Sequence, residues 1–169
     1  MSIITPSEIL LPRVLEDLGS RYGEIEFESP WMAFDFTDYY AREMGGDLKR
    51  KVVAFRRLIW PDGLPLVKLK TNQIEQKYAQ QGRRQVNIDP GYVSTEHMIL
   101  ATTKPYAHRP YLREGIYADL TLIYRKGSFR PLEWTYPDYG QPDMVTMFNG
   151  MRKAYLGELK DRHEGDAWT

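Results

Sequence analysis

The chain has 169 residues, 42% of them hydrophobic and 27% charged, with a net charge of zero, and at that length one domain buries about 70% of its unfolded surface without a covalent staple. It contains no cysteine, which excludes disulfides, zinc–thiolate and iron–sulfur sites and cysteine nucleophiles. No signal-like opening is present and no run approaches about 18 apolar residues, so a cytoplasmic protein with no membrane association is expected. The charge is unevenly placed. From Glu8 to Asp47 ten acids meet three bases, whereas from Leu48 to Arg113 thirteen bases meet four acids, and a basic middle can focus an anionic partner. Pairing of the two segments across a sheet is the plainer reading.

Thr5-Pro6-Ser7-Glu8 has the form of a capping box with proline at the first helical position. Ile9, Leu10, Val14, Leu15 and Leu18 continue it as an apolar stripe, and Gly23 stands where a C-cap glycine belongs. Pro12 lies too deep for that start, so the helix kinks there or begins again near Leu11. Alternation in "EIEFESPWMAFDF" predicts a strand interrupted at Pro30. "KRKVVAFRRLIW" predicts another, with Val53, Phe55 and Ile59 facing the core. Asp62 is the expected cap of a second helix carrying Val67, Ile74 and Tyr78, with Gly82 after its end.

"RQVNID" reads as a short strand closed by Asp89-Pro90-Gly91, and "HMILATT" as a buried one. "IYADLTLIYR" alternates most clearly, placing Ile116, Ala118, Leu120, Leu122 and Tyr124 on one face. Lys126-Gly127-Ser128 turns the chain back. "EWTYPDYGQP" reads as a rigid aromatic loop in which the Tyr136-Pro137 bond has some chance of being cis. A last helix from Pro142 presents Val145, Phe148, Met151, Tyr155 and Leu159 at helical spacing. No repeat or linker divides the chain, so one α+β domain is expected over 1–160, with a frayed tail over 161–169.

No phosphate loop, dinucleotide fingerprint, H-E-x-x-H, G-x-S-x-G or calcium loop occurs, which argues against the chemistry of each. Three constellations remain. In "ATTKPYAHRPYLREG", Lys104, His108 and Arg109, with Arg113 beyond, fall between two strands, and Pro105 and Pro110 stiffen the connection. Guanidinium offers a fork, ammonium a point charge and imidazole a proton near neutrality, which together suit an anion. Thr102 and Thr103 add hydroxyls, Tyr106 and Tyr111 add rings for stacking, and Arg83 and Arg84 precede a neighbouring strand. An ordinary solvated basic loop is the competing reading.

In "FDFTDYYAREMGG", Asp35, Thr37, Asp38 and Glu43 cluster where a strand ends. Paired carboxylates there hold magnesium or act as acid and base, with Asp89 or Asp138 as further partners. Equally, Asp and Thr after a strand are ordinary turn and cap residues. In "EWTYPDYG", Trp134, Tyr136 and Tyr139 form either a flat recognition surface or a cover for one end of the core.

"FDFTDYYAREMG", "LVKLKTNQIE", "NIDPGY", "ILATTK", "AHRPYL", "GIYADLTLIYRKGSF" and "WTYPDY" resemble the prokaryotic family known as domain of unknown function 4416, over about Ile3 to Leu159. The resemblance implies a fold more than a chemistry, since the family has no established activity. Some members carry a GTP-binding label, for which this chain lacks phosphate-loop residues. Relatives begin with a longer apolar strand than "MSIIT", so the first strand is shortened or the recorded start lies inside it. With that strand in place, the order strand–helix–strand–strand–helix–strand is a ferredoxin-like, split βαβ beginning extended by antiparallel strands, with about three helices in all.

The functional expectation is a binder of a phosphorylated small molecule, nucleotide or RNA through Lys104, His108, Arg109, Arg83, Arg84, Thr103 and Tyr111. His108, Asp35 and Asp89 are the catalytic candidates should it also be a hydrolase. No cofactor is expected, magnesium being the one ion those carboxylates would take, and homo-oligomerisation stays open. The alternative is a non-catalytic protein-interaction module using its aromatic surface.

Overall fold

A computed structural model describes residues 1–37 and 39–166, with no side chains described beyond Asp161. Asp38 and the last three residues lie outside it. The contacts cluster into two compact units, one of Met1–Pro90 with Leu112–Ile116, the other of Gly91–Tyr111 with Tyr117 onward. Mixed helices and antiparallel sheets make the fold α+β.

In the first unit, β1 (Ser2–Thr5), α1 (Leu11–Tyr22), β2 (Ile25–Glu28), β3 (Met32–Ala33), α2 (Ala41–Met44), β4 (Lys49–Phe55), α3 (Leu64–Lys77) and β5 (Asn87–Asp89) follow in order. The sheet runs β2-β4-β1-β5, antiparallel throughout, with β3 also on β4. This is the split βαβ arrangement, opening on a first strand of four residues. Ile3, Val53 and Ile88 meet Leu11, Val14 and Leu18 of α1 and Ile74 of α3 in one core cluster. Ile4 packs with Phe34, Met44 and Leu48 in another.

Several local expectations are corrected. The capping box does not form: Thr5 belongs to β1, its hydroxyl donates to the Gln85 carbonyl at 2.8 Å and accepts the Ser7 N–H at 3.1 Å. The helix starts at Leu11 instead, with Pro12 in its first turn, where a missing N–H is harmless. Ile59 is exposed and Val52 takes its place in the core beside Val53. Asp62 sits in a 3-10 turn, Pro61–Gly63, and caps nothing; α3 opens on Leu64-Pro65. Gly82 is no cap either. It follows Gln81 in a two-residue turn, both at positive φ, closed by reciprocal Gln80–Arg83 backbone bonds of 2.9 Å.

The second unit holds β6 (Gly91–Val93), β7 (His97–Thr102), most of β9 (Ile116–Arg125), β10 (Ser128–Pro131) and α4 (Pro142–Asp166), β8 being Tyr111–Arg113. Its sheet order is β10-β9-β7-β6. Gly91 is needed for close approach rather than for a turn, because a Cβ there would lie 2.2 Å from the Ile99 carbonyl oxygen. Lys126 and Gly127, both at positive φ, make the tight β9–β10 turn. Asn149 of α4 accepts the Phe129 N–H at 2.9 Å and so closes part of the β10 edge.

The even alternation expected of β9 breaks. Met98 faces Leu122 and Ile99 faces Leu120, so Thr121 is an extra residue on β9. Such a bulge shifts which side chains point inward: Asp119, Thr121 and Leu122 are buried, whereas Leu120 is only half-buried. All described peptide bonds are trans, Tyr136-Pro137 included. The last helix is assigned through Asp166, and the rest of the frayed tail expected over 161–169 lies outside the described residues.

Candidate functional site

The loop between β7 and β8 is built by short-range bonds. Thr102 Oγ1 accepts the Lys104 N–H at 3.2 Å, and the Tyr106 carbonyl accepts the Arg109 N–H at 3.0 Å. These tight turns bring His108 and Arg109 back over β9, where the bulge has turned Asp119 inward. Arg109 Nε donates to Asp119 Oδ2 at 2.7 Å, Nη1 to the Lys104 carbonyl at 3.2 Å and Nη2 to Tyr136 Oη at 2.8 Å. The Arg109 and Asp119 side chains are only 9% and 5% exposed. A charge pair sealed this far survives only with its hydrogen bonds made, and here the guanidinium is fixed on three sides.

His108 lies flat on Trp134, ring centroids 4.9 Å apart and planes 10° from parallel. Its Nε2 is buried, makes no hydrogen bond, and stands 3.7 Å from Asp119 Oδ2. Trp134 is anchored by its indole N–H on the Leu120 carbonyl at 2.8 Å. Tyr106 and Tyr136 rings flank the guanidinium at 5.7 and 6.0 Å, and both are exposed, by 68% and 46%. Lys104 and Thr103 are exposed, and Tyr111 rests edge-on against Tyr117 at 5.3 Å. Arg109 is therefore a braced element of the loop rather than an open fork.

The other predicted basic residues and most of the predicted carboxylates belong to the first unit. Arg83 is exposed on its turn, and Asp35 is exposed after β3. Thr37 Oγ1 accepts the Tyr39 N–H at 3.1 Å, an ordinary turn bond of the kind that competed with an acidic site. Asp138, named as a partner for those carboxylates, is buried in the second unit. Among the described residues no group of three His, Asp or Glu is placed to hold a metal. Of the aromatic loop, Tyr139 is buried against Phe148, so Tyr136 alone is the exposed ring.

Arg84 and Asp89 join a buried network. Ile88 lies in the middle of β5, the sheet's last strand, and an edge strand leaves alternate residues with both backbone groups unpaired. Two side chains of α3 supply the missing partners. Glu75 Oε1 accepts the Ile88 N–H at 2.7 Å, and Lys68 Nζ donates to the Ile88 carbonyl at 2.9 Å and to Asp89 Oδ1 at 3.2 Å. Arg84 then spans Asn87 Oδ1 at 2.9 Å, Glu75 Oε2 at 3.3 Å and Glu43, which takes Nε and Nη2 at 2.8 and 2.6 Å. Burial pushes the Glu75 carboxyl above its ordinary value, with Lys68 opposing. The Arg84 bonds hold Glu43 below its own and raise the guanidinium. Arg84 and Asp89 thus each make structural bonds within the first unit.

Sequence reasoning missed Asp119, Lys68 and Glu75. The only available signal lay in α3, where Leu64, Lys68, Thr71 and Glu75 share one helical stripe with an apolar start. An open groove of about 540 Å³ between α1 and α3 contains none of the predicted site residues, and its Lys77 is held by Asp17 at 2.6 Å.

The fold and these sites define an antiparallel α+β protein whose first unit is a split βαβ sheet and whose second unit carries a braced cationic loop. Residues 1–155 match the family described as Domain of unknown function (DUF4416), and the chain belongs to it. No curated protein and no solved structure matches the chain.

Proposed function

We propose that the second unit binds a phosphorylated ligand, a nucleotide free or within RNA, at the Lys104–Tyr111 loop. The observation that carries this is the pair of exposed tyrosines, Tyr106 and Tyr136, set around a guanidinium that buried Asp119 holds in place. Exposed rings accept a base by stacking, worth about 1–3 kcal/mol per base, and Lys104 offers a point charge to phosphate. Because the loop is already ordered, binding does not have to fix it. The reading requires no catalysis.

The test is a titration of the full chain with adenosine monophosphate, inorganic phosphate and a short single-stranded RNA, followed by Trp fluorescence and calorimetry. Tyr136→Ala and Lys104→Ala should each weaken nucleotide or RNA binding about tenfold or more, while Lys153→Ala, on the exposed side of α4, leaves it unchanged. No binding at millimolar ligand, or equal affinities for all variants, overturns the proposal. Capture of phosphate alone with no effect of Tyr136→Ala rejects the stacking half of it.

A further inference from the structure

In the first unit, the link into α3 leaves a large apolar side chain without cover. Trp60 is 84% exposed, and Ile59, Leu66 and Leu112 are 40%, 51% and 39% exposed. Beside them lies a groove of about 170 Å³ lined by Pro61, Asp62, Pro65, Leu112 and Arg113. Single exposed apolar residues are ordinary, but a contiguous group beside a groove marks an interaction surface. Proline at 61 disfavours helical backbone at Trp60, which is extended at φ −70° and ψ 142°, and its side chain is left to solvent.

The geometry points to a second copy of this chain as the occupant. A two-fold interface uses one patch twice, so the patch must complement itself. This one carries a projecting indole beside a groove, and one acid and one base, Asp62 and Arg113, on the groove's own walls. Among the described residues neither the Asp62 nor the Arg113 side chain has an ion-pair or hydrogen-bond partner in the chain. Two-fold pairing seats each Trp60 in the other copy's groove and sets Asp62 of each copy against Arg113 of the other. The exposed apolar side chains supply on the order of 400 Å² per copy, about half of the 800 Å² a standard interface removes from water on each partner, so the dimer is weak and concentration-dependent. Trp with Arg is also the composition of an interface hot spot.

Sedimentation velocity of the full chain across a concentration series tests this. Wild type should shift from monomer to dimer as concentration rises, and Trp60→Ser should remain monomeric with an unchanged far-UV spectrum. Asp62→Arg and Arg113→Glu should each remain monomeric alone, because each sets like charges together. Mixed in equal amounts they should dimerise, since both cross-pairs then have opposite signs. A wild type monomeric to near-millimolar concentration, a Trp60→Ser variant that associates like wild type, a failed mixture, or growth past the dimer each overturns the proposal. Nucleotide binding by the second unit enters none of these readouts.

Discussion

Each unit contains a buried cation paired with a buried carboxylate, and the two pairs are used in opposite ways. Around β5, Lys68 and Glu75 turn inward and satisfy the N–H and carbonyl of Ile88. In the loop of the second unit, Asp119 turns inward and anchors the largely buried Arg109 beside the exposed Tyr106 and Tyr136 rings. The first pair stands in for a missing neighbour strand, while the second is a bracket. The difference is where the remaining bonds go: to backbone and other buried charges in the first case, to a loop carbonyl and an exposed phenol in the second. An ion pair's burial therefore says little about its role until its other hydrogen bonds are followed.

The largest expected effect is at the strand edge. Lys68→Met strips the Ile88 carbonyl and Asp89 of their buried cationic donor and leaves Glu75 with Arg84 alone, and should cost about 3–5 kcal/mol in urea unfolding. The double replacement Lys68→Met, Glu75→Leu sharpens the comparison. Removing both halves of a buried pair is often neutral, but here it orphans both backbone groups of Ile88, each costing about 1–3 kcal/mol. The double variant should therefore remain at least about 2 kcal/mol less stable than wild type. Full recovery would show that the pair serves electrostatics alone and not the edge.

Next in size, Asp119→Asn removes the charge behind Arg109 and should cost about 2 kcal/mol, with amide exchange in 104–111 accelerated. A rigid loop in that variant would break the bracket account. Acid separates the first unit's own carboxylates. Glu75 is raised by burial above the ordinary 4.5, so between that folded value and 4.5 the folded chain holds a proton the unfolded chain lacks. Its titration adds stability as pH falls through that window. Glu43 is depressed below 4.5 by Arg84; its contribution is complete above that value and is lost as pH falls through the depressed one. The stability of wild type relative to Glu75→Gln should thus rise as pH falls from the raised Glu75 value toward 4.5, and the deficit of Glu43→Gln should shrink below 4.5. Unfolding at a series of pH values checks both signs. The smallest change is Tyr136→Phe, which removes one exposed bond to Arg109 and should cost about 0.5 kcal/mol while keeping the stacking face.

The order of strands and helices and the α+β class were legible because apolar period and turn residues report them directly. Gly23 and the Lys126-Gly127 turn sit where local chemistry places them. Thr5 misled because a β-branched residue with Pro and Glu following satisfies a helix-start pattern, while its hydroxyl is claimed by Gln85, 80 positions away. Asp119 was hidden by the bulge at Thr121: even spacing assigned it outward, and one inserted residue reversed that. Lys68 and Glu75 were hidden more thoroughly, since helical Lys and Glu ordinarily face water and only the topology, with β5 last in its sheet, gives them something to bond. Of the predicted binding residues, the run of basic and aromatic side chains from Lys104 to Tyr111 was recognisable as a stiff loop. What held Arg109 was not.

The reach of α3 over β5 also bears on how copies of this chain avoid sticking together. A free strand edge recruits foreign strands, and the side chains bridging Ile88 occupy the groups such an intruder would need. The opposite margin, β2, is short and bears the exposed carboxylate Glu26, which repels a like neighbour. Intermolecular β-pairing of this sheet is thereby blocked on one side by an intramolecular mimic and on the other by charge.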